Sequence, residues 1–175
     1  MPVSVLTGVD ALPDLGVRGA RVLFCGLVGE CAAARGHHYS SRGDAFWELL
    51  HDSGLTPRRL TAVQDELLPA WGIGLTQLVV TPLGLAPGFD AESLLAIVSR
   101  CRPRWVALNG KRVGREVARV LGRPPPALGL QPWTAYDARF FVLPSSSGAN
   151  RRRDYDGRPA RVDWWSEMAE LVRQG

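Results

Sequence analysis

Four short apolar runs, at residues 21–27, 76–80, 104–108 and 139–143, constrain this chain more than any other feature. Each is rich in β-branched or aromatic side chains and too brief for a helix, the pattern of a buried strand. Between them lie stretches whose apolar residues recur at helical spacing. Asp44 is placed to cap a helix over 45–51, with Phe46, Leu49 and Leu50 on one face. Thr56 followed by Pro57 signals a second helix that ends before Pro69. Asp90 opens a third, through Ser99. A fourth covers 111–121 and is stopped by Gly122 and the prolines at 124–126, and the last covers 162–173, with Trp164, Met168 and Leu171 at core-facing spacing. Strands alternating with helices need right-handed crossovers and give a parallel sheet covered on both faces. At 175 residues the chain is long enough for one well-buried domain and short for two. The expectation is therefore a single α/β domain over 1–175, with three layers (α/β/α) around a mainly parallel, four-stranded sheet.

In such sheets ligands bind beyond the carboxyl ends of the strands. The unusual stretches of this sequence all fall there. The first strand leads into Gly26-Leu27-Val28-Gly29-Glu30 and then Gly36-His37-His38-Tyr39. The second leads into the proline- and glycine-rich segment 81–88, and the third into Asn109-Gly110-Lys111. The fourth leads into Pro144-Ser145-Ser146-Ser147-Gly148-Ala149-Asn150, followed by Arg151, Arg152 and Arg153. Any one of these loops is a weak signal. Their meeting at one sheet edge is a stronger one.

At these residues the chain resembles the uracil-DNA glycosylase superfamily, nearest its mismatch-specific uracil/thymine-DNA and hypoxanthine-DNA glycosylase branches. Val22-Leu23-Phe24-Cys25-Gly26 through Phe46-Trp47 is similar to the family's first signature region, and Val142-Leu143-Pro144 through Arg151 to its second. Trp71-Gly72-Ile73-Gly74-Leu75-Thr76 and Leu108-Asn109-Gly110-Lys111 extend the likeness over most of the chain. The departures fall at catalytic positions. The family's water-positioning Asn corresponds to Val28, which offers no polar atom, and the Pro-Gly after it becomes Gly29-Glu30. The base-contacting Asn corresponds to Ser145, the wedge leucine to Ala149, and the Asn before Phe-Trp to Asp44.

The resemblance implies a DNA repair enzyme that flips uracil out of DNA and hydrolyses its glycosidic bond, leaving an abasic site. Such an enzyme extrudes its base into a pocket at a cost of a few kcal/mol. Tyr39 stands where the family stacks that base, an interaction worth roughly 1–3 kcal/mol. Cleavage builds positive charge on the sugar and negative charge on the base, so a carboxylate and hydrogen-bond donors are needed. Glu30 is the first candidate for the carboxylate, against a solvated loop residue. Asp44 is the second, against a helix cap. Ser145 joins them as a catalytic candidate at the base. Gly26, Leu27, Val28, Tyr39, His38 and Asn109 form the expected substrate site. For Asn109, with its paired donor and acceptor, a turn cap is the alternative. Ser146, Ser147, Gly148, Ala149, Asn150, Arg151, Arg152 and Arg153 form the expected DNA-binding stretch. With Ala149 too small to wedge a duplex, either Asn150 or Arg151 fills the gap or the substrate is single-stranded.

Composition enters at the arginines. The net charge is +4, and every basic residue except Lys111 is arginine, whose planar fork suits phosphate. Codon usage alone would also favour arginine, but three adjacent arginines on the DNA-facing loop favour phosphate binding. The three cysteines, Cys25, Cys31 and Cys101, lack ligand spacing, so free thiols are expected, with no metal and no cofactor. No apolar run approaches the roughly 20 residues that span a bilayer. The N-terminus lacks a secretory pattern, so a cytoplasmic monomer acting on uracil-containing DNA at the bacterial nucleoid is expected. Two rival readings remain at this point. One is an inactive relative that binds damaged or single-stranded DNA. The other is a glycosylase for hypoxanthine or xanthine.

Overall fold

The computed structural model describes residues 12–27, 36–78, 80–81 and 88–175. A five-stranded sheet carries the fold, its strands running side by side in the order 73–78, 22–27, 105–109, 138–143 and 129–135. Its strands are β1 (Val22–Leu27), β2 (Ile73–Leu78), β5 (Trp105–Asn109), β7 (Ala138–Leu143) and β6 (Gly129–Ala135), while β3 (Val80–Thr81) and β4 (Gly88–Phe89) pair apart from it. β1, β2, β5 and β7 are parallel; β6 returns antiparallel to β7. Four α-helices accompany them among the described residues: α1 (Phe46–Asp52), α2 (Ala91–Cys101), α3 (Lys111–Val120) and α4 (Arg161–Gln174). No helix among these residues is long and apolar enough to cross a membrane.

Successive strand residues point to opposite faces, so the layers can be read from named neighbours. Phe24 packs on Phe46 of α1 and Trp165 of α4, and Phe141 meets Trp164 of α4. Val142, one residue on and on the other face, lies against Gly114 of α3, where an added Cβ would come within 3.0 Å. The central strands are buried along their length, β5 at every residue, as a sheet covered on both sides requires.

Three expectations change. The sheet has a fifth strand, β6, hidden in sequence by Pro132 and the prolines before it. Proline is tolerated here because β6 is an edge strand whose register shifts between Leu130 and Thr134. β2 begins at Ile73, three residues earlier than its β-branched run suggests, because Gly74 packs tightly: a Cβ there would approach the Gly16 carbonyl to 2.9 Å. The helix expected from Thr56 is instead a 3-10 helix over Ala62–Trp71. Its start is fixed by the Thr61 amide, which donates to Gln64 Oε1 at 3.1 Å, and its end by Gly72 in the left-handed region, φ 73°.

Pairing brings Leu27 level with Leu78, and Asn109 level with Leu143. The carboxyl ends of the four parallel strands therefore form one rim. The candidate site is built on it.

Candidate active site

Among the described residues two cavities open on this rim. The first, the slot, has a volume of about 460 Å³ and is walled by Tyr39, Asp44, Gln77, Asn109 and the 145–149 loop, with Leu27, Ser41 and Arg42 completing it. The second, of about 400 Å³, lies on the other side of a ridge made by Leu27, Asn109, Ser145 and Ser147, which line both.

The slot is held by two loops stitched together. Segment 36–45 turns at Gly36 and Gly43, both with positive φ, and Tyr39 itself adopts φ 51°. For a bulky residue that conformation is strained, and such strain persists only where the surroundings enforce it. They do so here. Trp47 Nε1 donates to the Tyr39 carbonyl at 3.3 Å, and the Tyr39 ring stacks on Phe46 at 3.8 Å between centroids, 9° from parallel. Asp65, buried on the 3-10 helix, accepts the His38 amide at 3.1 Å and faces His37 Nδ1 at 3.3 Å. Gly26 lies beneath the ring: a Cβ there would stand 2.6 Å from the Tyr39 hydroxyl. Burial holds that phenol protonated, far above its ordinary range, against the opposing influence of Asn109.

The second loop follows β7. Asn109 Nδ2 donates to Ser146 Oγ at 2.9 Å, and the Ser146 amide donates back to Asn109 Oδ1 at 3.0 Å. Arg161 donates to the carbonyls of Ser145 and Ser147, and Asn150 Nδ2 donates to that of Ser145 at 2.9 Å. The Ala45 amide reaches across to the Ser146 carbonyl at 2.8 Å. Gly148 sits so close to Gly43 that a Cβ would meet its carbonyl oxygen at 2.7 Å. Residue 148 must be glycine for the two loops to touch.

Asp44 occupies the junction. Its Oδ1 accepts the Phe46 amide at 2.9 Å, so it serves the start of α1 while its carboxylate lines the slot. Burial raises its pKa, opposed by hydrogen bonds from Ser146 and the Phe46 amide and by the charge of Arg161. Among the described residues it is the only carboxylate on the slot wall. Ser146 links it to Asn109, accepting from the amide and donating to the carboxylate. Across the slot, Gln77 at the end of β2 carries a buried Oε1 with no hydrogen-bond partner among the described residues. An unsatisfied buried acceptor costs about 1–3 kcal/mol, and a ligand that donates to it recovers that loss.

The structure thus brings together Leu27, Tyr39, Asp44, Asn109 and the residues of the 145–150 loop. It separates others. His38 is buried behind the loop with Nε2 2.9 Å from the Pro13 carbonyl, so it does not reach the slot. Gly26 supports Tyr39 from below and is not on the wall. Asn109 reaches the wall, but its amide is engaged by Ser146, which makes it a positioning group. Ser146, expected at a phosphate, is 1% exposed and spends its hydroxyl inside the protein. Ser147, Ala149, Arg151, Arg152 and Arg153 are exposed, with Gly148 and Asn150 half-buried beside them. Val28 and Glu30 lie outside the described residues.

Sequence reasoning does not point to Gln77, Arg42 or Arg161. Gln77 sits inside an apolar run, and only the period-two alternation of a strand that starts at Ile73 would mark its position. Of the cysteines, Cys25 is free and fully buried, with its thiol pKa pushed up, and Cys101 is free and half-buried; Cys31 lies outside the described residues. Among the described residues no group of three or more His, Cys, Asp or Glu side chains is placed to hold a metal ion.

Comparison with known families agrees with this geometry. The family model described as the uracil DNA glycosylase superfamily matches residues 13–169.

Proposed function

The chain belongs to the uracil-DNA glycosylase superfamily, and from that premise we propose that it hydrolyses uracil from DNA and leaves an abasic site. Membership itself supports a DNA glycosylase, a hydrolase that acts on DNA. The finer reading, uracil, is supported by one observation: the buried Oε1 of Gln77, unpartnered among the described residues, on the wall of a slot with room for a nucleobase.

Uracil presents an imide N–H between two carbonyl oxygens. Gln77 Oε1 accepts that N–H, and its Nε2 donates to a neighbouring carbonyl oxygen. Ser145 accepts the Ser147 amide at 3.2 Å and keeps its own hydroxyl proton for a base oxygen. Both donors stabilise the negative charge that gathers on the leaving base. Tyr39 supplies the aromatic wall, made rigid by Phe46. The glycosidic bond breaks with both electrons going to the base. Water adds to the sugar carbon, and its proton passes to the Asp44 carboxylate, which also stabilises the sugar cation. Asp44 takes this part as the carboxylate seen on the wall; Glu30, two residues beyond Val28, is its competitor.

The small, exposed Ala149 cannot itself fill a vacated base stack, which favours single-stranded substrate. The exposed Arg151, Arg152 and Arg153 grip the backbone by charge. The test is single-turnover release of base from matched single- and double-stranded oligonucleotides carrying uracil, hypoxanthine or xanthine. Uracil should leave fastest, from the single strand. Faster release of a purine would transfer the slot to that base, and DNA binding with no release of any base would reduce the protein to a binding module.

A further inference from the structure

The ridge of Leu27, Asn109, Ser145 and Ser147 divides two cavities of similar size, and only one is used by the reading above. The second has an apolar interior formed by Val113, Leu128, Pro144 and the largely buried ring of Tyr155. Its rim is cationic. Lys111 is paired with Asp156 at 2.5 Å, so its charge is neutralised within the protein. Arg115 and Arg152 are exposed and form no salt bridge among the described residues. A bare anion would make no use of the apolar interior, and an apolar ligand none of the arginines. The ligand that matches both is a nucleotide, with its base inside and its phosphate at the rim. The shared ridge makes the two cavities direct neighbours, as two bases of adjacent nucleotides in an extended strand require.

We propose that the second cavity receives the base of a nucleotide next to the target, so that the protein reads two splayed neighbours of a single strand at once. This rests on the glycosylase reading for the identity of the target, but not for its own evidence. A duplex cannot supply both bases without losing two adjacent pairs and their stacking, so the arrangement calls for a single strand.

The experiment uses the full chain and single-stranded oligonucleotides with one uracil. The nucleotide on its 5′ or its 3′ side is replaced by a tetrahydrofuran spacer, which keeps sugar and phosphate and removes only the base. Binding is followed by fluorescence anisotropy and uracil release in single turnovers on the same strands. One spacer, on one side only, is expected to weaken binding roughly tenfold or more, the loss typical of a docked base. In Arg115→Glu, an exposed change that leaves the core intact, that spacer penalty should shrink to about twofold or less as the phosphate is repelled from the rim. Spacer strands that bind within about twofold of the parent on both sides would overturn the proposal, as would an undiminished penalty in the arginine variant. If no uracil is released but the one-sided penalty persists, the uracil reading falls and the second cavity stands.

Discussion

Replacing Asp44 with Asn separates chemistry from structure at a single carboxylate. Asn keeps an Oδ1 to accept the Phe46 amide, the 2.9 Å bond that supports the start of α1, and loses the charge and the oxygen that accepts from Ser146. A positioned general base contributes about 10²–10⁴-fold, equivalent to roughly 3–5 kcal/mol of barrier at 1.36 kcal/mol per factor of ten. Single-turnover uracil release from a single-stranded oligonucleotide should fall by that factor, with strand affinity little changed. Stability should move the other way. Burial raises the folded-state pKa of Asp44 above its ordinary value of 3.8. The folded state therefore holds this proton more tightly than the unfolded one, and the contribution to stability is present at low pH and lost as pH rises through the raised pKa. At neutral pH the ionised group destabilises the fold. Asp44→Asn should accordingly melt at the same temperature or higher at pH 7, with the advantage shrinking as pH falls through the raised pKa and gone below the ordinary 3.8. Wild-type release should show an acid limb, above the usual aspartate range, that is missing in the variant. Release within about twofold of the parent would refute the assignment and make Asp44 a helix cap alone.

Four further outcomes follow from the same geometry. Glu30→Gln should slow release while leaving DNA binding intact if that residue shares the water-activating role; undiminished single-turnover release removes it. Gln77→Ala should cost uracil release roughly 10–100-fold, the range for a missing buried hydrogen bond, measured against strand affinity, which should hold. Gly26→Ala places a methyl 2.6 Å from the Tyr39 hydroxyl; the ring must shift, at a cost of about 1–3 kcal/mol in thermal or urea unfolding, and release should slow with it. Removing Arg151, Arg152 and Arg153 together should make the dependence of log affinity on log salt shallower by about 0.7 for every phosphate of a single strand that they neutralise, read from binding titrations at several salt concentrations.

The parallel strands are legible in sequence because each is buried on both faces and so reads as an unbroken apolar run between turn residues. β6 is not, since a proline in an edge strand disguises it, and β2 is half-hidden by Gly74, whose lack of a side chain is a packing requirement invisible in one dimension. The site is legible as a place, because residues after strand ends must meet at one rim. Individual roles are harder. Ser146 and Ser147 are identical neighbours in sequence, yet one is buried against Asn109 and Asp44 and the other faces solvent. His38 carries the chemistry of a site residue, but the Asp65 carboxylate and Pro13 carbonyl hold it elsewhere. Gln77 emerges only from its unpaired oxygen, a property of packing.

The most direct measurement is a crystal structure with a single-stranded oligonucleotide bearing 2′-fluoro-deoxyuridine, whose fluorine disfavours the sugar cation and slows cleavage. Uracil should lie between Tyr39 and Ser145 with its imide N–H on Gln77 Oε1 and its sugar beside Asp44. A strand bound with the slot empty, or uracil held away from Gln77, would contradict the account.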